Sequence, residues 1–322
     1  MTPDMVNDWD KAVSGLGFSG VLLAAERGEI RYMKAFGLAS YERGEPCRTD
    51  TGFLVASITK PFTAFGILLL QQQGKLELTD PAAAYLPTLI RDERITIHHL
   101  LTHTSGLPDF ESLPLFFERF GHVSYPREHI FKLLEDMPLE FAPGTDWSYS
   151  NTGYNALGLL IDQVAGMPYE AFIYNQVLEP LGMSNTGFVG SGLPLPGLAE
   201  GYSCREGEKV RVPFFEPGNF RASGNLYTTA EDLHKLASAL MGISASVVSK
   251  DITERMLTRH VWAKNRHYGY GLSLYEKSWG HGGTLPGCRC VWRVYPGRQR
   301  TVIMLGNSDA VAAGDLLRIL ET

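Results

Sequence analysis

Two runs rich in β-forming residues open the chain. Phe18 to Ala25 and Ile30 to Gly37 flank a polar turn that contains Gly28. That pattern predicts an antiparallel hairpin. Past a polar loop the period changes. Between Ser57 and Gln73 the apolar positions Phe62, Phe65, Ile67, Leu68, Leu69 and Leu70 predict a hydrophobic, buried helix. Pro61 falls in its first turn, where a missing N–H costs little, and Gly74 stands where a left-handed residue would stop it. Ser57 is therefore expected at the N-terminal end of this helix.

From about 75 to 215 the pattern is mostly helical patches broken by Pro and Gly, clearest from Ile95 to His103 and from Ala156 to Ala165. Helix returns from Thr229 to Met241, with Thr229 as N-cap candidate and Glu231 and Asp232 in the first turn. Strand patterns follow from Tyr268 to Tyr275, Cys288 to Tyr295 and Arg300 to Leu305, with a tight turn at Pro296-Gly297. An apolar helix from Ala310 to Leu320 closes the chain, and no repeat of fixed period occurs. Strands at both ends with helices between predict an α+β architecture. Residues 1–60 and 222–322 would form one discontinuous α/β domain, an antiparallel sheet flanked by terminal helices. A mainly helical domain, 61–221, would be inserted into it, with the active site between them.

Composition narrows the function classes. The 322 residues are 44% hydrophobic and 20% charged, ordinary for a globular enzyme. The net charge is -6 and no Lys/Arg block occurs, which excludes a nucleic-acid groove and disfavours anionic membranes. The apolar stretch from Phe62 to Leu70 is too short to span a bilayer. The acidic start, without a basic or apolar leader, leads us to expect no signal peptide and a cytoplasmic protein, or a periplasmic or secreted one if a leader has been trimmed. Four cysteines are too few for a disulfide framework. Cys288 and Cys290, two apart in a strand, point to one face, as two buried thiols or as a redox or metal-binding pair.

The chemistry starts at Ser57. A serine hydroxyl is almost never ionised at neutral pH and needs a base within hydrogen-bond reach. Ser57-Ile-Thr-Lys60 puts an amine three residues on, on the same helix face. For that amine to act as a base its pKa must fall from ~10.4 towards ~7, at a cost of roughly 4–5 kcal/mol. Burial and nearby positive charge can supply the shift, and the helix start adds free N–H groups beside Ser57. By composition alone such a pair arises about once in a chain this long. Further along, Tyr149-Ser-Asn151 is the only Tyr-x-Asn among fourteen tyrosines, between Pro143-Gly144 and Asn-Thr-Gly on an expected loop. A phenol near an ammonium can have its pKa lowered and relay protons, and an Asn can orient the lysine and a substrate amide. Read alone, both are loop and cap residues. Gly280-His281-Gly282-Gly283-Thr284 marks a close backbone approach, where an N–H could join that of Ser57 in an oxyanion hole. Its plain alternative is a glycine turn with a surface histidine.

The order Ser57-x-x-Lys60, Tyr149-x-Asn151, His281-x-Gly283 resembles the serine β-lactamase/penicillin-binding-protein superfamily, and within it class C β-lactamases, family VIII-type esterases, DD-peptidases and D-aminopeptidases. The segments Phe53 to Lys60, Gly74 to Pro81 with Tyr85-Leu-Pro, Leu100 to Leu107 and Ala222 to Leu233 agree, so the likeness covers roughly residues 15–310. The resemblance implies a β-lactamase/transpeptidase-like fold and an acyl-enzyme on Ser57. Lys60 and Tyr149 would share the acid/base work, and Asn151 would orient. The N–H groups of Ser57 and Thr284 would hold the oxyanion, with Gly283 between Thr284 and a cleft-edging His281. The β-lactamase pattern has Lys at the position of His281. A mostly neutral imidazole there implies weaker carboxylate binding and shifts the expectation towards esters, amides or D-amino-acid peptides. A DD-peptidase or β-lactamase, and a non-catalytic binding protein on the same fold, remain the alternatives.

Other signals carry less. His99 and His103, with His98 beside them, have a spacing that can hold zinc, but no third ligand stands out, so no metal and no cofactor are expected. No Gly-x-Ser-x-Gly occurs, which disfavours an α/β-hydrolase elbow. Phe110, Phe116, Phe117, Trp147, Phe214, Phe215 and Phe220 would line an apolar acyl pocket or, for most of them, fill core. The expected partner is a small-molecule or short-peptide substrate.

Overall fold

The structure is a computed structural model that describes residues 3–119, 121–190, 197–206, 208–244 and 248–321. Its centre is an eight-stranded antiparallel sheet. Six strands form a C-terminal meander: Val261–Ala263, Arg266–Tyr268, Ser273–Leu274, Trp279–Leu285, Cys288–Tyr295 and Arg300–Gly306. The predicted N-terminal hairpin, Gly20–Glu26 and Glu29–Phe36, adds to the last of them in the register Gly20 to Gly306 and Glu26 to Arg300. Both chain ends therefore build one sheet.

Alternation along the strands sorts the side chains into two layers. Leu22, Ala24, Val302 and Met304 meet Trp9, Val13 and Leu320 of the terminal helices Pro3–Gly15 and Ala313–Glu321. Val21, Leu23, Ala25, Trp292, Ile303 and Leu305 face the other way. They join the main core with the Ala230–Leu240 helix and the buried helix Thr59–Gln72. The α+β architecture expected from the sequence, an antiparallel sheet flanked by the terminal helices, is thus present.

Several elements differ in detail. The span from Tyr268 to Tyr275 is not one strand. Two glycines break it, and Gly271, at φ +71°, turns the chain against the backbone of Lys60 before Ser273–Leu274 resumes. Within the stretch read as helical, Tyr202–Arg205 and Glu208–Arg211 form a hairpin too short and polar to announce itself. Phe53–Leu54, Leu226–Thr228 and Gly187–Phe188 form a small sheet that joins the chain before Ser57 to the returning segment. Arg221 secures that return: its guanidinium is buried and pairs with Asp162 at 2.7 Å and Glu170 at 2.7 Å. Among the described residues no helix is long and apolar enough to cross a membrane.

Candidate active site

Ser57 does not sit in the α-helix predicted for it. It occupies a 3-10 turn, Ala56–Ile58, that leads into Thr59–Gln72. Ala56 adopts φ +50°, a left-handed conformation uncommon outside glycine and one that clusters at functional sites. The turn is pinned on two sides. Val55 N–H donates to Leu226 O at 2.9 Å, and Thr59 Oγ1 donates to Ala56 O at 2.7 Å while accepting from Leu226 N–H at 3.0 Å.

Lys60 points inward with no exposed surface. Its Nζ lies 3.1 Å from Ser57 Oγ and donates to Asn151 Oδ1 at 2.7 Å and to Ser223 O at 2.9 Å. Burial lowers its pKa from the ordinary 10.5 to about 7, against the opposing pull of Asp109 and Glu111. No cation stands among those causes; dehydration alone produces the shift.

Tyr149 lies on the loop that precedes the helix Asn151–Ala165, so Asn151 is the first helical residue rather than a loop residue. That helix begins five positions before the start read from the sequence, because Ser150 caps it by accepting from Gly153 N–H at 3.1 Å. The Tyr149 ring faces Lys60, with Nζ 4.7 Å from its centroid, and its phenol shares a hydrogen bond with Ser57. Its pKa is held well above the usual value, first by burial and then by Tyr268, with Ser57 pulling the other way. The sequence argument had allowed a lowered pKa through a nearby ammonium. Burial overrides it, since it disfavours a phenolate and loosens the lysine's hold on its own proton.

His103 explains how Tyr149 is held. It ends the helix Ile97–Thr102 in the left-handed conformation, at φ +62°. Its ring lies 4.3 Å from that of Tyr149, and its Nδ1 accepts from Ser150 N–H at 3.1 Å. His99 closes a capping box with Thr96, and His98 bonds the Tyr270 hydroxyl at 2.9 Å. These imidazoles are engaged by different elements instead of converging on one point.

The strand Trp279–Leu285 backs onto the nucleophile turn. A Cβ on Gly283 would stand 2.0 Å from Val55 O, so only glycine permits this approach. Gly283→Ala is expected to push strand and turn apart, cost about 2 kcal/mol of stability and slow acylation of Ser57; urea denaturation and active-site labelling measure the two effects. Thr284 is exposed on the same strand. His281 is buried, not on the surface. Its Nδ1–H donates to Gly282 O at 2.6 Å, which leaves Nε2 as acceptor 3.1 Å from the Tyr268 hydroxyl. Burial, then the positive charges of Lys60 and Arg266, lower its pKa to about 3, so the ring is neutral and both nitrogens are engaged. Cys288 and Cys290 lie beneath the turn with sulfurs 3.8 Å apart, and the Cys288 thiol donates to Leu54 O at 2.7 Å.

Three participants escaped the sequence reading. Ser223 supplies a carbonyl to Lys60 from 163 residues away. Asp109 and Glu111 accept from the Asn151 amide across about forty residues. Only their neighbourhood to Thr102-His-Thr-Ser-Gly-Leu hinted at them. Of the aromatics, Phe110, Phe116 and Phe220 are core, whereas Phe214 and Phe215 line a cavity of about 680 Å³ with Phe53, Leu54 and Cys288.

Comparison with known proteins fits this geometry. The family described as Beta-lactamase matches residues 9–321. Esterase EstB of Burkholderia gladioli is 34% identical over 254 residues, 68% of this chain and 64% of its own length, so the chain spans less than two thirds of that relative. The crystal structure of a penicillin binding protein from Bacillus halodurans superposes with a TM-score of 0.85 at 27% identity, covering 97% of this chain and 98% of that one. The D-amino acid amidase from Ochrobactrum anthropi SV3, complexed with L-phenylalanine amide, also gives a TM-score of 0.85, at 26% identity over 99% of this chain and 98% of that one.

Proposed function

The chain belongs to the Beta-lactamase family and is a serine hydrolase of that kind, and on this premise we propose that it cleaves an ester or amide through an acyl-enzyme on Ser57. One observation carries the reading: the hydrogen-bond count at Lys60. A neutral amine has two N–H bonds and one lone pair. Asn151 Oδ1 and Ser223 O take the two N–H bonds, which leaves the lone pair for the Ser57 hydroxyl at 3.1 Å. Lys60 is then the base that accepts the Ser57 proton as Oγ attacks the carbonyl carbon. Tyr149, kept protonated by burial, donates its proton to the leaving group as the proton held by Lys60 passes back to its phenol oxygen, so no phenolate is left. In deacylation the pair takes a proton from water and returns it to Ser57 Oγ. The N–H groups of Ser57 and Thr284 hold the oxyanion, a role supported by the close seat of Gly283 on Val55.

The substrate class rests on two supports. One is the likeness to an esterase and to a D-amino acid amidase. The other is the neutral, fully engaged His281, which offers no cation to a carboxylate. A penicillin-binding reading is favoured by the Bacillus halodurans structure. We also propose residues 1–60 with 222–322 as one domain and 61–221 as the inserted one, supported by the sheet that both termini share. A cytoplasmic setting is supported by four free cysteines, three of them buried.

Intact-mass spectrometry with a fluorophosphonate tests the nucleophile. A single adduct on Ser57 is expected, and its rate of formation rises as pH passes through about 7, because only deprotonated Lys60 serves as base. No adduct, or a rate flat between pH 5 and 9, would refute the mechanism. A parallel incubation with a penicillin separates the readings: a stable penicilloyl adduct favours the penicillin-binding one.

A further inference from the structure

The Asn151 side chain has two chemically different ends in one shape. Its amide fits its space either way round, and only the flanking hydrogen bonds choose. Nδ2 donates to Asp109 Oδ2 at 3.1 Å and to Glu111 Oε2, while Oδ1 accepts from Lys60 Nζ at 2.7 Å. Flipped, the amide would set its N–H bonds against those of Lys60 and its carbonyl against two carboxyl groups. We propose that Asp109, with Glu111 beside it, is a positioning pair for Lys60, fixing the Asn151 carbonyl towards the amine and so aiming the Lys60 lone pair at Ser57. The inference rests on the reading of Ser57 as nucleophile and Lys60 as its base.

The anchorage runs through the backbone as well. Asp109 Oδ1 accepts the N–H of Asn151 at 3.2 Å, and Phe110 N–H donates to Thr152 Oγ1 at 3.1 Å. The acidic loop and the start of the Asn151–Ala165 helix thus form one unit, and a single side chain separates the pair from the amine. The pair also acts through space. Lys60 is surrounded by the carboxyls of Asp109 and Glu111, the imidazoles of His103 and His281, and the rings of Tyr149 and Tyr154. Of these, the two carboxyls raise its proton affinity, so they offset part of the dehydration. Desolvation, then the charge of Asp109, raises Glu111 to about 7, and desolvation raises Asp109 against the pull of Lys60 and the backbone N–H groups beside it.

Asp109→Asn and Glu111→Gln test this with a p-nitrophenyl ester as probe. Asp109→Asn is expected to lower kcat by about 10²-fold with KM little changed, the loss typical of a misplaced reacting group. The acid limb of its pH profile moves to lower pH, because Lys60 loses a stabilising negative charge. Glu111→Gln, which keeps the side chain's shape and an oxygen for Asn151, shifts the limb in the same direction with a smaller loss. Asp109→Glu restores part of both. A kcat loss with an unmoved limb in both variants overturns the proposal, and so does a raised KM at unchanged kcat, which would place the pair on the substrate. Fluorophosphonate labelling of the wild type separates the two failures. A labelled wild type with unmoved limbs overturns the pair's role alone, and an unlabelled one overturns the reading beneath it.

Discussion

Ser57→Ala is expected to lower kcat for a p-nitrophenyl ester by about 10⁶-fold, the scale seen when a serine hydrolase loses its nucleophile. Without Oγ no acyl-enzyme forms, and what remains is binding and the oxyanion donors, worth roughly 10³–10⁴ over water. The fold should hardly respond. The hydroxyl's partners are Lys60 and Tyr149, and the turn is pinned by Val55, Thr59 and Leu226 instead. Alanine also tolerates the local backbone, since Ser57 is not the residue in the left-handed conformation; Ala56 is. Lys60 keeps two acceptors in the variant. The measurement pairs steady-state kinetics with a urea midpoint. Unchanged turnover in a folded variant would move the nucleophile to another serine. A lost activity accompanied by unfolding would deny Ser57 a chemical role.

What the sequence could show of this site follows from the range of each interaction. Ser57 and Lys60 are three apart, and helical periodicity brings them together before any tertiary contact is known. The hairpin at Gly28 and the strands from Cys288 to Leu305 are local patterns too, and the structure has them in place. Asn151 was legible as a residue and not as a helix start, because Gly153 and the polar residues around it weaken the helical signal that the Ser150 cap restores. Asp109, Glu111 and Ser223 were illegible because their meaning is entirely tertiary: each touches a partner dozens of residues or more away. The direction of the Tyr149 shift failed for a related reason. Sequence places an amine nearby but cannot say how dry the pocket is, and desolvation of the phenolate outweighs attraction to a lysine whose own charge dehydration weakens. The single strand read across Tyr268 to Tyr275 failed through its glycines, which serve the approach of Gly271 to Lys60.

Lys60→Met is expected to cost about 10²–10⁴-fold in kcat, the usual worth of a positioned proton acceptor, and to alter the pH dependence of stability in a way that reveals why the lysine is there. The folded-state pKa of Lys60 is about 7, below the ordinary 10.5. Between those values the unfolded chain binds more protons at this site than the folded one, so wild-type stability rises with pH across that window. The penalty of the buried amine is therefore fully present below about 7 and fades as pH approaches 10.5. Methionine has nothing to titrate and fills a similar volume, so its variant lacks this rise. It also leaves Asn151 Oδ1 and Ser223 O without their donor, a cost of about 1–3 kcal/mol each that does not change with pH. The difference in urea stability between variant and wild type should thus favour the variant most near pH 6 and shrink towards pH 10, by about 1.4 kcal/mol per pH unit at most. Parallel stability curves would mean that folding leaves the amine's proton affinity unchanged. Lys60 would then be an ammonium at neutral pH, all three of its N–H bonds spent on Ser57, Asn151 and Ser223, with no lone pair to take the Ser57 proton. A wild-type curve that gains on the variant's as pH rises, together with the lost turnover, would show that the chain tolerates a destabilising buried amine because that amine is the base.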